Sequence, residues 1–255
     1  MNRLIIALSL ICLPCFSLDL PQEELRAIGT RIWQNECRGT LQGLVSWNEG
    51  EDFPSLGIGH FIWYPKGANQ TFEETFPALL VRMKAQEVKL PFWLSHAKHC
   101  PWKSRAEFLK ERRSKKMNEL RDLLSETLDL QMRFVIDRFD QSEENILATL
   151  SDDKKEAIGT KIALLKQTPK GLFALIDYVN FKGTGLSPKE RYRGLGWGLL
   201  QVLEQLPDSL EAEKAPAAFA KSARTLLRQR VHNAPAKRNE ERWLKGWNAR
   251  LDSYK

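Results

Sequence analysis

Three carboxylates close together in the sequence carry the strongest chemical signal in this chain. Glu36 ends a helix-forming segment, and Glu49 and Glu51 fall in a turn shortly after it. Two carboxyl groups on either side of a sugar–sugar bond can cleave it by general acid–base chemistry. One protonates the leaving oxygen while the other activates water or attacks directly. The surroundings that the chain builds for each group decide which does which.

Those surroundings begin with a helix. In QEELRAIGTRIWQNE, after Pro21, the residues Leu25, Ile28 and Ile32 recur at intervals of three and four, the apolar stripe of an amphipathic helix. Glu36 lies about three turns beyond Leu25 at ~3.6 residues per turn, on the same stripe. Gly39 suits the helix stop. A carboxylate on an apolar face at the negative end of a helix dipole is pushed toward a raised pKa, so Glu36 is expected to keep a proton near neutrality and donate it. The competing reading is an ordinary last-turn glutamate paired with Arg31 or Arg38. Beyond the helix, Leu44, Val45, Trp47, Phe53, Leu56, Ile58, Phe61 and Trp63 form short apolar stretches around Asn48-Glu49-Gly50-Glu51. They read as two or three short strands with tight turns. Gly57 and Gly59 bracket Ile58, where missing side chains admit a ligand or a neighbouring backbone.

Glu36, then Trp47-Asn48-Glu49, then Ser55-Leu56-Gly57-Ile58-Gly59-His60 resemble the active-site region of the phage-type lysozymes, the endolysin-like muramidases. Their motif is a Glu, a Tyr-x-Asp and a Thr-Ile-Gly-x-Gly-His. Glutamate replaces aspartate at Glu49, serine replaces threonine at Ser55, and the interval from Glu36 to Glu49 is longer, which keeps Glu51 as a competing second carboxylate. ALIDYVNFKGTGL, residues 174–186, is similar to the Phe-Asn-x-Gly-x-Gly segment that closes the cleft in that family, and Asn180 falls within it. Residues 233–254 are similar to the family's last helices, and GWGLLQVL, residues 196–203, resembles the Gly-Leu-Met-Gln segment of lytic transglycosylases.

The resemblance implies a mainly α (α+β) lysozyme-like fold, a helical body with a small β-hairpin lobe that together form a cleft. It implies an exported glycosidase that cuts β-1,4 bonds between aminosugars of peptidoglycan or another aminoglycan, with no cofactor. Glu36 would be the general acid, and Glu49 with Ser55 would hold the water. Trp47, Glu51, His60, Trp63 and Asn180 would bind substrate. Two alternatives stand beside this reading: a lytic transglycosylase, which needs only Glu36, and a non-catalytic wall-binding protein on the same scaffold. Of the eight tryptophans, Trp47, Trp63 and Trp102 are the candidates for stacking on sugar rings, while Trp243 and Trp247 suit helix packing.

Residues 1–17, MNRLIIALSLICLPCFS, have the pattern of a cleaved secretory leader, and their apolar run is too short to span a bilayer. A periplasmic or secreted location is expected, with one lysozyme-like catalytic domain over residues 18–255 and a helical insertion around 72–167. The net charge of +7 falls by one when Arg3 leaves with the leader. This balance suits an anionic polymer such as the cell wall, and no nucleic-acid motif accompanies it. The chain is read as a monomer without stable membrane insertion. Cys37 and Cys100 would remain in an oxidising compartment, either as a disulfide or as two buried thiols. His96, His99 and Cys100 have metal-ligand chemistry but not the spacing of a closed zinc site.

Helices are expected near 72–88, 105–126, 128–148, 153–166, 171–181, 188–206, 215–230 and 238–253. Capping-box patterns occur at Thr71 and Ser104, Ser187-Pro188 offers a helix start, and the Gly194-Leu195-Gly196-Trp197-Gly198 stretch is expected to break or kink one of these helices. The segment 89–103, with two prolines, two tryptophans and two histidines, is expected to be a lid or a connector beside the cleft.

Overall fold

The computed structural model describes residues 21–255, so the expected leader lies outside the described residues. The fold is mainly helical with two small antiparallel sheets. Helix α1, Gln22–Cys37, buries Ile28 and Ile32 as its spacing requires, and it stops at Arg38, whose left-handed backbone donates its N–H to the Trp33 carbonyl. A short 3-10 turn, Gln42–Leu44, leads into the lobe. There β1 (Val45–Ser46), β2 (Ser55–Leu56) and β3 (Phe61–Ile62) pair antiparallel in that order, with Ser46 opposite Ser55 and Ser55 opposite Ile62.

Helices α2 (Phe76–Ala85), α3 (Phe92–Ser95), α4 (Arg105–Lys110) and α5 (Lys115–Glu126) follow the lobe. The long helix α6, Leu128–Ala148, then packs against α1 and α2. Helices α7 (Asp152–Lys166) and α8 (Pro169–Lys182) complete the body next to α6. A hairpin, β4 (Arg191–Tyr192) with β5 (Leu195–Gly196), precedes α9 (Leu199–Glu204), α10 (Ala215–Asn233) and, after two 3-10 turns, α11 (Leu244–Asp252). One apolar core runs through all of these, from Ile28 to Tyr254. The segment 72–167, read from the sequence as a helical insertion, is helical and supplies part of that core through α2, α5, α6 and α7.

Three expectations are corrected. Thr71 to Glu74 start no helix: the Glu74 carboxylate accepts the Tyr64 N–H and the Thr75 hydroxyl accepts the Ile62 N–H, so these cap-type residues terminate β3. The expected helix 188–206 gives way, at the glycine run expected to break or kink a helix, to the β4–β5 hairpin, because Gly194 turns the chain at a φ of 80° and Gly198 lies against the backbone of Gly185, where a Cβ would come within 2.1 Å of the Gly185 nitrogen. Segment 89–103 is packed rather than poised as a lid. Trp93 stacks on Trp63, Trp102 meets Trp93 and Phe108 edge-on, and Trp47 also meets Phe108 edge-on. Such pairs contribute about 0.5–1.5 kcal/mol each beyond their buried area.

Cys37 and Cys100 are free, buried thiols. The Cys37 thiol donates to the Gly57 carbonyl and the Cys100 thiol to the Trp102 carbonyl, which removes the disulfide alternative. Burial pushes the Cys100 thiol up to about 12. Among the described residues no helix is long and apolar enough to cross a membrane, and no group of three or more His, Cys, Asp or Glu side chains is arranged for a metal ion.

Gln131 of α6 fastens the lobe to the body. Its side-chain oxygen accepts the Ile58 N–H at 3.0 Å, and its amide nitrogen donates to the Leu124 carbonyl and the Thr127 hydroxyl. A Cβ on Gly57 would meet that same oxygen at 2.3 Å, and one on Gly59 would strike the Phe61 ring. The two glycines thus admit α6 and a core ring, not a ligand. Replacing Gln131 with Leu strands the buried Ile58 N–H and should cost about 1–3 kcal/mol. Urea unfolding that shows no loss would remove Gln131 from this role.

Candidate active site

Glu36 sits where lobe and body meet, in the last turn of α1, with a side-chain exposure of only 10%. Each carboxylate oxygen has partners from distant parts of the chain. Asn180 of α8 donates to Oε1 at 3.0 Å, Arg250 of α11 donates to the same oxygen at 2.6 Å, and His60 of the lobe places Nδ1 3.0 Å from Oε2. His60 sits in the left-handed region at a φ of 48°, which turns its ring back toward the helix end, and its other ring nitrogen is buried without a partner.

Arg250 is itself fixed from behind. It donates from Nε to Asp177 Oδ2 at 2.7 Å and from Nη2 to Asp177 Oδ1 at 2.9 Å. The Tyr254 hydroxyl and the Asn35 amide also donate to the fully buried Asp177 carboxylate. Burial would push Glu36 up, as its place on the apolar stripe suggested. The Arg250 guanidinium, and then His60, outweigh that and hold the carboxyl well below the usual carboxylate range. Arg250 moves well above its ordinary value because Asp177 and Glu36 flank it, despite its burial. The expectation of a protonated Glu36 in the resting protein is therefore corrected: it is an anion in a cationic cradle.

The group pushed upward is Glu51. It is half-buried beside the turn, and burial outweighs the Asn48 amide that donates to its Oε2 at 3.1 Å. It senses the positive field of His60 and the negative field of Glu36, so the carboxylates share one electrostatic neighbourhood. Its backbone is held by the Trp47 indole N–H, which donates to the Glu51 carbonyl at 2.8 Å. Glu49 is exposed at the tip of the turn. Ser55 is buried in the central strand, where its carbonyl accepts from the Ser46 hydroxyl.

The tryptophans proposed as sugar platforms are walls of the core. Trp47 is 6% exposed, Trp63 fully buried and Trp102 1% exposed, so none offers a face to a pyranose ring. Trp247, assigned to helix packing, is half-buried and stands over Lys182, with Trp243 tilted against it. Asn180 holds Glu36 directly, where it was expected to touch substrate. Arg250 and Asp177 escaped the sequence reading. The available signal was Asp177, a lone carboxylate in the apolar run ALIDYV, which a cation must meet if that run is buried.

No family model, curated protein or solved structure matches this chain.

The cradle has a measurable pH signature. Ionised Glu36 adds stability at neutral pH, above the carboxylate value of the unfolded chain, and that stability fades as the pH falls through and below that value. Arg250→Met strands two buried carboxylates and should cost about 3–5 kcal/mol at pH 7. The gap from wild type should narrow toward pH 4, where the stranded groups take up protons. Equal stability of the two proteins in urea at pH 7 would contradict the cradle.

Proposed function

We propose that this chain is an exported glycosidase cleaving β-1,4 bonds between aminosugars of peptidoglycan, with Glu36 and Glu51 as its working carboxylates. The observation that carries the reading is Glu36 itself, a nearly buried carboxylate at the junction of lobe and body, oriented by Asn180, Arg250 and His60. Burying a charge this deeply is costly, and a frame built around one carboxylate is the kind of preorganisation that bond cleavage requires. Support for the bond type and for the wall as substrate comes from the motif resemblance around Glu36, Glu49 and Ser55. Support for export comes from the leader pattern of residues 1–17.

The charges suggest a division of labour opposite to that implied by the motif. Glu51, raised by burial, keeps its proton to higher pH and protonates the glycosidic oxygen. Glu36, held ionised, stabilises positive charge on the opened sugar and activates water or attacks it. One observation favours the original division as a second reading: burial is the largest influence on Glu36 and acts to raise it, so a substrate that draws Arg250 or His60 away would return the proton to Glu36. In both readings we place Glu51 rather than Glu49 beside Glu36, since Glu49 stands at the exposed tip of the turn, although the motif would make Glu49 the water-holding carboxylate.

Mass spectrometry of soluble products from purified peptidoglycan, using the leaderless protein, tests the proposal. Hydrated muropeptides are expected, with losses of at least about 10²-fold for Glu36→Gln and Glu51→Gln and little change for Glu49→Ala. An aryl glycoside with an acidic phenol leaving group should rescue whichever variant lacks the proton donor, Glu51→Gln on the primary assignment. Anhydro products would convert the reading to a lytic transglycosylase. No product from a folded wild type would leave the wall-binding alternative.

A further inference from the structure

Beside the cradle, three cations share two aromatic rings. The Arg250 guanidinium lies 4.2 Å from the Phe181 centroid, and the Lys182 amine lies 4.0 Å from that same centroid. Lys182 also stands 3.6 Å from the Trp247 centroid, which Arg230 approaches at 5.1 Å. Phe181 and Trp247 meet edge-on at 6.4 Å, so the series runs cation, ring, cation, ring, cation from Glu36 outward.

The outer two cations have carboxylates. Arg250 is paired with Asp177 and Glu36, and Arg230 is paired with Glu240 through two hydrogen bonds. Arg238 and the Tyr192 hydroxyl also converge on Glu240, so that carboxylate is fully engaged. Among the described residues, Lys182 alone in the series has no carboxylate within ion-pair distance. Glu36 and Glu240 reach it only as longer-range fields, and so does Glu190 of the neighbouring loop. Aromatic faces stabilise an ammonium less than a charge-assisted hydrogen bond does when an anion arrives.

We propose that Lys182 is the docking group for a carboxylate on the substrate, so that the site selects acidic aminosugars over neutral ones such as chitin fragments. This inference rests on the reading of Glu36 as a working carboxylate and names the substrate class of the same site. Lys182 follows Asn180, which holds Glu36, by two residues, and it shares the Phe181 ring with Arg250. An anion on its amine is therefore tethered beside the reacting centre. Burial together with Arg230 and Arg250 draws the amine well below its ordinary value, so an arriving carboxylate also draws a proton onto it. In peptidoglycan the carboxylate comes from the lactyl ether of the sugar or from the attached peptide, and both present the same two oxygens.

The test is binding of N-acetylmuramic acid, N-acetylmuramyl dipeptide and N-acetylglucosamine to the leaderless chain, followed by tryptophan fluorescence and by the Lys182 side-chain carbon resonance. The expected result is at least one acidic ligand binding on the order of tenfold tighter than N-acetylglucosamine, with the Lys182 amine pKa raised in its complex. Whichever acidic ligand wins identifies the source of the carboxylate. Lys182→Met should abolish the preference, so that the ratio of acidic to neutral affinity falls to about one. Equal affinity for all three ligands, no binding of the acidic ones, or a preference that survives Lys182→Met would overturn the assignment. The resonance shift in the wild type decides the matter if the variant fails to fold. A failed assignment leaves muropeptide release by the wild type intact, whereas a failed glycosidase reading removes it.

Discussion

The position of Glu36 depends on Asp177. That carboxylate is fully buried in an apolar helix, where an unpaired charge would be intolerable, and its two oxygens take Nε and Nη2 along one edge of the Arg250 guanidinium. With that edge fixed, the second hydrogen of Nη2 points at Glu36 Oε1, 2.6 Å away. The chain thus spends a buried ion pair to aim a second one. The free energy gained by either pair alone is small or negative after desolvation, so the benefit lies in geometry rather than stability. The frame joins α1, α8 and α11, and His60 brings the lobe to the same point. The candidate site and the closure of the fold are one set of contacts.

The periodicity of apolar residues made the helical body legible. Ile28 and Ile32 set the face of α1, and the same signal delineated 128–148 and bounded α7 and α8 within two residues, but it ran α4 and α5 together as one helix over 105–126 across the turn at 111–113. At 188–206 the glycine run 194–198 announced a break, but not that a hairpin would stand there. The hairpin is fixed by the backbone-to-backbone contact of Gly198 with Gly185, which the local pattern does not record. The cap-type residues at 71–75 misled for a related reason. Serine, threonine and glutamate satisfy any exposed backbone N–H, and here the donors belong to the end of a strand.

Of the residues the sequence singled out, four lie together in the structure, but their charges were misjudged. Glu36, Glu51, His60 and Asn180 are brought into one electrostatic cluster. The protonation of Glu36 was misread because burial alone was counted, and the offsetting guanidinium lies 214 positions away in the chain. The tryptophans were misread because ring chemistry says nothing about exposure. Trp63 and Trp102 have the same flat faces as Trp247, yet they are closed in by Trp93, Phe76 and Phe108.

The aromatic series beside the cradle follows from the same electrostatics. Three cations within reach of two rings repel one another, and Arg230 and Arg250 can stay only because each carries its own carboxylate. Among the described residues, Lys182 has the faces of Phe181 and Trp247 and no carboxylate within ion-pair distance. A methionine would pack against those rings without the repulsion, so stability alone does not explain a lysine there. Its presence follows if the missing negative charge arrives with the ligand proposed for this site. Glu36 would then meet a substrate already oriented by a second charge, and the energy of that contact would act where the bond is broken.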